Sequence, residues 1–257
     1  MVCHQYPGTI ARDGWRQNRV SRLVSDTAMV MAAGMGKRMR PLTATQPKPL
    51  VRVAGKPLID HTLDRLADAG VSKAVVNLHY LADALEAHVL ERANPTITIS
   101  DERDLLLETG GGMIKAQAQL PDPFFCLNSD NIWLDGPRNA FHELSARWDP
   151  ERMDALLLVV PHARAMNFAG KGDFYLDPEG RIKRRQPGRI APFIYTGIQV
   201  VSHRLLRDPP EGKFSTNILW NRALEEERLF GLPFTGLWFE VGTPEAIRPT
   251  EEALAGA

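Results

Sequence analysis

Apolar residues fall along this chain in short runs separated by glycine, proline and charged stretches. The first strong run, 28–33, has the length and composition of a buried strand and breaks off at Gly34 and Gly36. Leu58, Ile59, Leu63 and Leu66 lie near one helical face, which predicts a helix over 58–69 stopped by Gly70. A strand over 73–78, a helix over 81–91 and a strand over 96–100 follow. Gly110, Gly111 and Gly112 stand before an expected helix over 113–119, and their N–H groups would face outward at its positive end. The run 124–127 is another short buried strand. Such alternation predicts an α/β domain with a Rossmann-like, doubly wound, mixed but mostly parallel sheet.

The second half is less regular. A helix from Pro137 to about 148, a strand over 153–160 and a hairpin made of 172–176 and 181–185 are expected. A long strand over 193–201, a helix over 216–227 and two strands, 229–234 and 237–241, come next. Thr243 suits an N-cap and Pro244 a first helical position for a last helix. Residues 1–25 carry no clear periodicity and read as a mobile extension to a single domain over 26–257, with a short helix around 15–23 as the alternative.

Composition narrows the function. Apolar residues are 44% of the chain, enough for a sizeable core without disulfides. Lysine plus arginine equals aspartate plus glutamate at 31 each, which disfavours a general nucleic-acid binder and makes any basic cluster a local device. Of the two cysteines, Cys126 sits in an apolar run and reads as core, so neither a zinc site nor a disulfide framework is expected. No signal-peptide or membrane-spanning pattern is present, and a cytoplasmic protein is the default expectation.

Candidate chemistry begins where the first strand ends. Gly34 and Gly36 allow close backbone approach, and Lys37, Arg38 and Arg40 follow at once, a combination suited to phosphate oxygens. Lys48 lies between Pro47 and Pro49, which restrict its loop. A dinucleotide fingerprint would need glycine where Met39 stands, and a Walker A loop would need Ser or Thr where Arg38 stands. The segment from Met31 through Ala32, Ala33, Gly34, Met35, Gly36, Lys37, Arg38 and Met39, with Pro47-Lys48-Pro49-Leu50, resembles the signature of the sugar-1-phosphate nucleotidyltransferases. Those enzymes join a nucleoside triphosphate to a sugar 1-phosphate.

That resemblance, which runs from about residue 28 to 252, implies a glycosyltransferase-A-like fold and a set of roles. Ala32, Ala33, Gly34, Met35, Gly36, Lys37 and Arg38 would meet the nucleotide, together with Glu108 and Thr109 of the Glu-Thr-Gly-Gly-Gly segment. Lys48, Gly110, Asn128 and Gly197 would meet the sugar phosphate, and Arg38, Lys48 and Asp130 would carry the catalysis. Asp130 matches the family's magnesium-binding position; Glu240 stands where many relatives carry a second aspartate, and is expected to be the other Mg²⁺ ligand. The Glu-Lys-Pro element common near 183–185 is absent, and Lys183, Arg184 and Arg185 read as an exposed strand face, with a sugar-phosphate site as the alternative. Within the family the chain is most similar to the branch acting on N-acetylmuramate 1-phosphate with UTP in peptidoglycan recycling. Guanylyl transfer to mannose 1-phosphate and thymidylyl or uridylyl transfer to glucose 1-phosphate are the alternatives. A catalytically inactive nucleotide-sugar-binding regulatory subunit is the non-enzyme alternative, disfavoured because Arg38, Lys48 and Asp130 are all in place. A monomer or small homo-oligomer is expected.

Overall fold

The computed structural model describes residues 22–256. Most of the extension read over 1–25, and of the alternative helix around 15–23, lies outside the described residues. Leu23 and Val24 pack partly buried against the core, and the Val24 N–H donates to Ser145 Oγ at 3.2 Å. No helix among the described residues is long and apolar enough to cross a membrane.

β1 (Thr27–Met31) opens the fold with four of its five residues buried. The chain then runs through three single-turn 3₁₀ segments and a two-strand hairpin, β2 (Arg52–Val53) and β3 (Lys56–Pro57), into α1 (Leu58–Ala69). β4 (Lys73–Leu78), α2 (Ala82–Leu90), β5 (Thr96–Asp101), α3 (Glu108–Ala116), β6 (Phe124–Asn128), β7 (Asn131–Leu134) and α4 (Ala140–Arg147) follow. The second half adds β8 (Ala155–Pro161), β9 (Ala165–Met166), β10 (Phe174–Leu176), β11 (Ile182–Arg184), β12 (Phe193–Val201), α5 (Asn217–Glu225), β13 (Leu229–Pro233), β14 (Leu237–Glu240) and α6 (Ile247–Ala255).

β6, β1, β4 and β5 lie side by side and parallel. β12 runs antiparallel to β6 and passes the sheet on to β8, with β13 parallel beyond it; β10 and β11 continue the other branch. Successive strand residues face opposite sides. Ala28 and Val30 therefore join Leu63 of α1, Leu85 of α2 and Phe141 of α4 in one core. Met29 joins Met113 of α3 and Leu219 of α5 in the other, so helices cover both faces of a mixed sheet. Cys126 lies in that second core, where burial pushes its thiol up to about 12, as suits an inert packing residue.

Three features depart from the sequence reading. β7, β14 and β9 form a small separate sheet, of which only the 237–241 strand was expected. Over it, Ile132, Phe239 and Val241 pack with Met39, Val51 and Leu58 in a third core that ties this sheet to the loop after β1. α4 starts later than Pro137 because Asn139 caps it, its side chain accepting from Phe141 N and His142 N. α3 starts five residues before the expected 113, so Gly110, Gly111 and Gly112 are buried inside its first turns instead of preceding it. The reason is tertiary. Gly110 N donates to Phe214 O at 2.9 Å and Gly111 N to the same oxygen at 3.2 Å. A Cβ on Gly110 would lie 2.3 Å from the Phe214 ring, and one on Gly112 would lie 2.9 Å from Glu102 Oε1.

Candidate active site

The carboxyl ends of β1, β4 and β6 converge, as they do where open α/β sheets hold ligands. Ala32, Ala33 and Gly34 leave β1, Asn77 is the penultimate residue of β4, and Asn128, Ser129 and Asp130 close β6. Ser129 N donates to Met31 O at 3.1 Å, which locks the two strand ends together. Behind them the fully buried Glu102 acts as a clamp. Its Oε1 accepts from Asn77 Nδ2 at 2.8 Å, its Oε2 from Leu107 N at 3.0 Å, and Asn77 Oδ1 accepts from Ala32 N at 2.7 Å. One carboxylate thus sets the position of the strand end and of the segment entering α3.

The loop after β1 delivers Lys48 into this convergence. Pro47 and Pro49 are buried, Leu50 N donates to Pro47 O at 2.9 Å and Val51 N to Lys48 O at 3.0 Å, so a rigid turn aims the side chain. The Lys48 ammonium contacts Asp130 Oδ2 directly; the side chains are 13% and 30% exposed. Gly36 makes this possible. Its φ is +59°, and a Cβ there would stand 2.8 Å from Lys48 Cβ and 3.0 Å from Thr43 Cγ2. The sequence suggests a glycine that makes room for a ligand; the structure shows one that makes room for the lysine stem.

Two cavities meet at this ion pair. The first, about 390 Å³, is lined by Ala32, Ala33, Gly34, Asn77, Glu108 and Thr109, with Lys48, Asn128 and Asp130 at its edge. The second, about 230 Å³, shares Asn128 and Asp130 and extends past Gly197 and Tyr195 to Asp173, Arg38 and Glu240. Gly197 (φ +83°) is pressed against two amides, since a Cβ would lie 2.7 Å from both Asn128 Nδ2 and Asn131 Nδ2. The Asn131 Nδ2 group is itself buried without a protein partner. Of the expected site residues, Met35, Gly36, Lys37 and Gly110 line neither cavity. Met35 and Lys37 are exposed, and Gly110 is covered by Phe214. Thr109 Oγ1 accepts from Thr216 N at 2.9 Å, and Glu108 pairs with Lys213 at 3.4 Å. Sequence reasoning missed Asn77, Glu102, Asp173 and Tyr195 as site residues; Asp173 falls in an expected hairpin strand and Glu102 in the loop after the strand over 96–100, and neither carries a motif.

A family model described as nucleotidyl transferase matches residues 27–184. The chain belongs to the nucleotidyltransferase family. It is 46% identical over 235 residues to the N-acetylmuramate alpha-1-phosphate uridylyltransferase of Caulobacter vibrioides, covering 90% of this chain and 97% of that one. It is 34% identical to the protein of the same name from Neisseria meningitidis, over 90% of this chain and 98% of the relative. The inositol-1-phosphate CTP transferase from T. maritima shares the fold, with a TM-score of 0.72 at 17% identity over 90% of this chain and 95% of that structure. The motifs around Gly34, Lys48 and Asp130 thus sit inside the matched span, whereas Gly197 and Glu240 lie beyond it.

Nucleotidyltransferases of this family generally use a divalent metal. The donor set here suits a hard ion that keeps water and phosphate ligands. Asp130 and Glu240 line the same cavity, and Glu240 pairs in register with Asn131, the residue next to Asp130. Among the described residues no three His, Cys, Asp or Glu side chains cluster as a closed metal site. If both carboxylates held such an ion, the remaining positions would fall to substrate oxygens. Arg38, 69% exposed, reaches Glu240 at 3.6 Å, so an exposed cation stands at the outer edge.

Because Gly36 seats Lys48, Gly36→Val is expected to lower the turnover of this nucleotidyltransferase by about 10²-fold, the scale for displacing a catalytic group by about 1 Å. Steady-state kinetics on the folded variant test this, and wild-type turnover would show that Lys48 does not depend on the glycine.

Proposed function

We propose that the chain transfers the uridylyl group of UTP to N-acetylmuramate 1-phosphate, releasing pyrophosphate. The observation that carries the chemistry is the Lys48–Asp130 pair at the junction of two cavities. The choice of substrates rests on the names of the 46% and 34% identical relatives. In this reading the first cavity holds the nucleotide and the second the sugar phosphate.

A phosphate oxygen of the sugar 1-phosphate bonds to the α-phosphorus while the bond to the β-phosphate oxygen breaks and pyrophosphate leaves with that electron pair. Both reactants are anions, so alignment and charge neutralisation supply most of the rate. Lys48 lies where the two cavities join and bridges the attacking and α-phosphates as a fixed cation. Arg38, exposed and long, sits beside Glu240 in the second cavity and would swing across to meet the departing pyrophosphate. Asp130 and Glu240 would hold Mg²⁺, which supplies polarisation of the α-phosphate oxygens when bound. The nucleophile is already ionised, so no side chain need act as a base.

A pyrophosphate-release screen of four nucleoside triphosphates against a panel of sugar 1-phosphates tests the assignment. UTP with N-acetylmuramate 1-phosphate is expected to give the highest kcat/KM; a different pair preferred by about tenfold or more would overturn it. For the second carboxylate, Glu240→Gln is expected to raise the Mg²⁺ concentration needed for half-maximal rate by about tenfold, and Glu240→Asp to retain activity. An unchanged Mg²⁺ titration in Glu240→Gln would leave the ion to Asp130 and the phosphates.

A further inference from the structure

A third cavity, about 340 Å³, opens beyond the sugar cavity and shares Asp173 and Tyr195 with it. Two arginines line it, with Phe174, Asn217 and Trp220. Lys183 stays on the exposed strand face that the sequence suggests for all three cations, but Arg184 and Arg185 turn into this space. Each guanidinium is held from behind. Arg184 Nε donates to Asn221 Oδ1 at 2.9 Å and its Nη2 to Asn217 Oδ1 at 3.0 Å, and the group lies 5.8 Å from the centre of the Phe174 ring. Arg185 Nε donates to Gly172 O at 2.9 Å and its Nη1 to Arg189 O at 3.3 Å. A guanidinium carries five N–H donors, so both retain donors beyond these bonds.

We propose that the Arg184–Arg185 cavity is a subsite for a carboxylate carried by the sugar 1-phosphate, and that it selects acidic over neutral sugars. The inference rests on the proposed function, whose sugar bears a lactyl carboxylate that N-acetylglucosamine 1-phosphate lacks. With the 1-phosphate at Lys48 and the ring over Gly197, the far side of the ring faces Asp173 and Tyr195, the residues shared with the basic cavity. Asp173 opposes one of the two positive charges; its Oδ2 accepts from Tyr195 N at 2.9 Å, and its remaining capacity suits a ring hydroxyl. Burial holds the Tyr195 phenol well above its ordinary value, so it adds no negative charge. Paired arginines fixed by side-chain and carbonyl bonds match a planar carboxylate, which a neutral sugar would leave unanswered.

UTP-dependent pyrophosphate release is measured with N-acetylmuramate 1-phosphate, its lactyl carboxamide and N-acetylglucosamine 1-phosphate, on the wild type, Arg184→Gln and Arg185→Gln. On the wild type, the carboxamide is expected to lose about 10- to 100-fold in kcat/KM against the acid, mainly through KM, the range for one charge-assisted contact. Each variant should lose a similar factor on the acid and little on the two neutral substrates. Equal use of acid and carboxamide by the wild type overturns the subsite while the uridylyl assignment stands, and this comparison needs no variant to fold. Equal losses on all three substrates also overturn it, as a structural effect. No turnover of the acid by the wild type removes both the assignment and the subsite.

Discussion

Asp130→Asn is expected to reduce turnover by about 10³-fold or more, with little recovery at high Mg²⁺. Asparagine keeps the shape and one acceptor oxygen but removes the charge that a hard divalent ion requires. The position is partly exposed at the end of β6, with the Lys48 ammonium as its contact. The fold should therefore survive, and a near-wild-type melting temperature with lost activity is the expected pair of results. Turnover restored by added Mg²⁺ would show that Glu240 and the substrate phosphates suffice to hold the ion.

Lys48→Ala is expected to lower kcat by about 10²- to 10³-fold, the scale of losing one preorganised electrostatic stabiliser, with a smaller effect on triphosphate affinity. Its stem is gripped by the Pro47 and Pro49 turn and by the gap at Gly36, so the ammonium position is fixed before substrate arrives. In the free protein it also competes with any cation for Asp130. The Mg²⁺ requirement of Lys48→Ala should therefore be equal to or lower than that of the wild type, opposite in sign to Glu240→Gln. A raised Mg²⁺ requirement would show that Lys48 helps to hold the metal site together. Because the two side chains touch, the double variant with Asp130→Asn should lose less than the product of the single losses.

Several elements were legible locally. The helix over 58–69 and the strands over 73–78 and 193–201 have the expected bounds. Each carries its own periodicity or a long apolar run, and Gly70 in the left-handed conformation ends the first. The motif chemistry was equally local: Gly34, Gly36, Arg38 and Lys48 lie within fifteen residues of one another, and Asp130 follows a buried strand. The resemblance to the family signature, carried by these short spacings, thus singled out the cation between two prolines and the acidic strand end that the structure places in contact.

Tertiary structure decided what has no local pattern. Three consecutive glycines disfavour a helix by their backbone entropy, yet α3 includes them because the Phe214 carbonyl takes two of their N–H groups and the Phe214 ring and Glu102 leave no room for a Cβ. β7 and β9 become strands only because β14 arrives between them. Asn77 and Glu102 look in sequence like ordinary strand-end polar residues, and their hydrogen bonds to each other and to the Ala32 and Leu107 amides appear only once β1, β4 and α3 are assembled. Arg184 and Arg185 read as solvent-facing charge until α5 and β12 close a cavity around them. The sequence by itself determined which groups could neutralise phosphate, because Lys37, Arg38 and Lys48 fall at short spacings around a glycine turn, while the metal-binding reading of Asp130 and Glu240 rested on the family resemblance. Which of them share a cavity, and which glycine makes room for a ligand and which for a lysine, depended on contacts between residues far apart in the chain, where local periodicity carries no information.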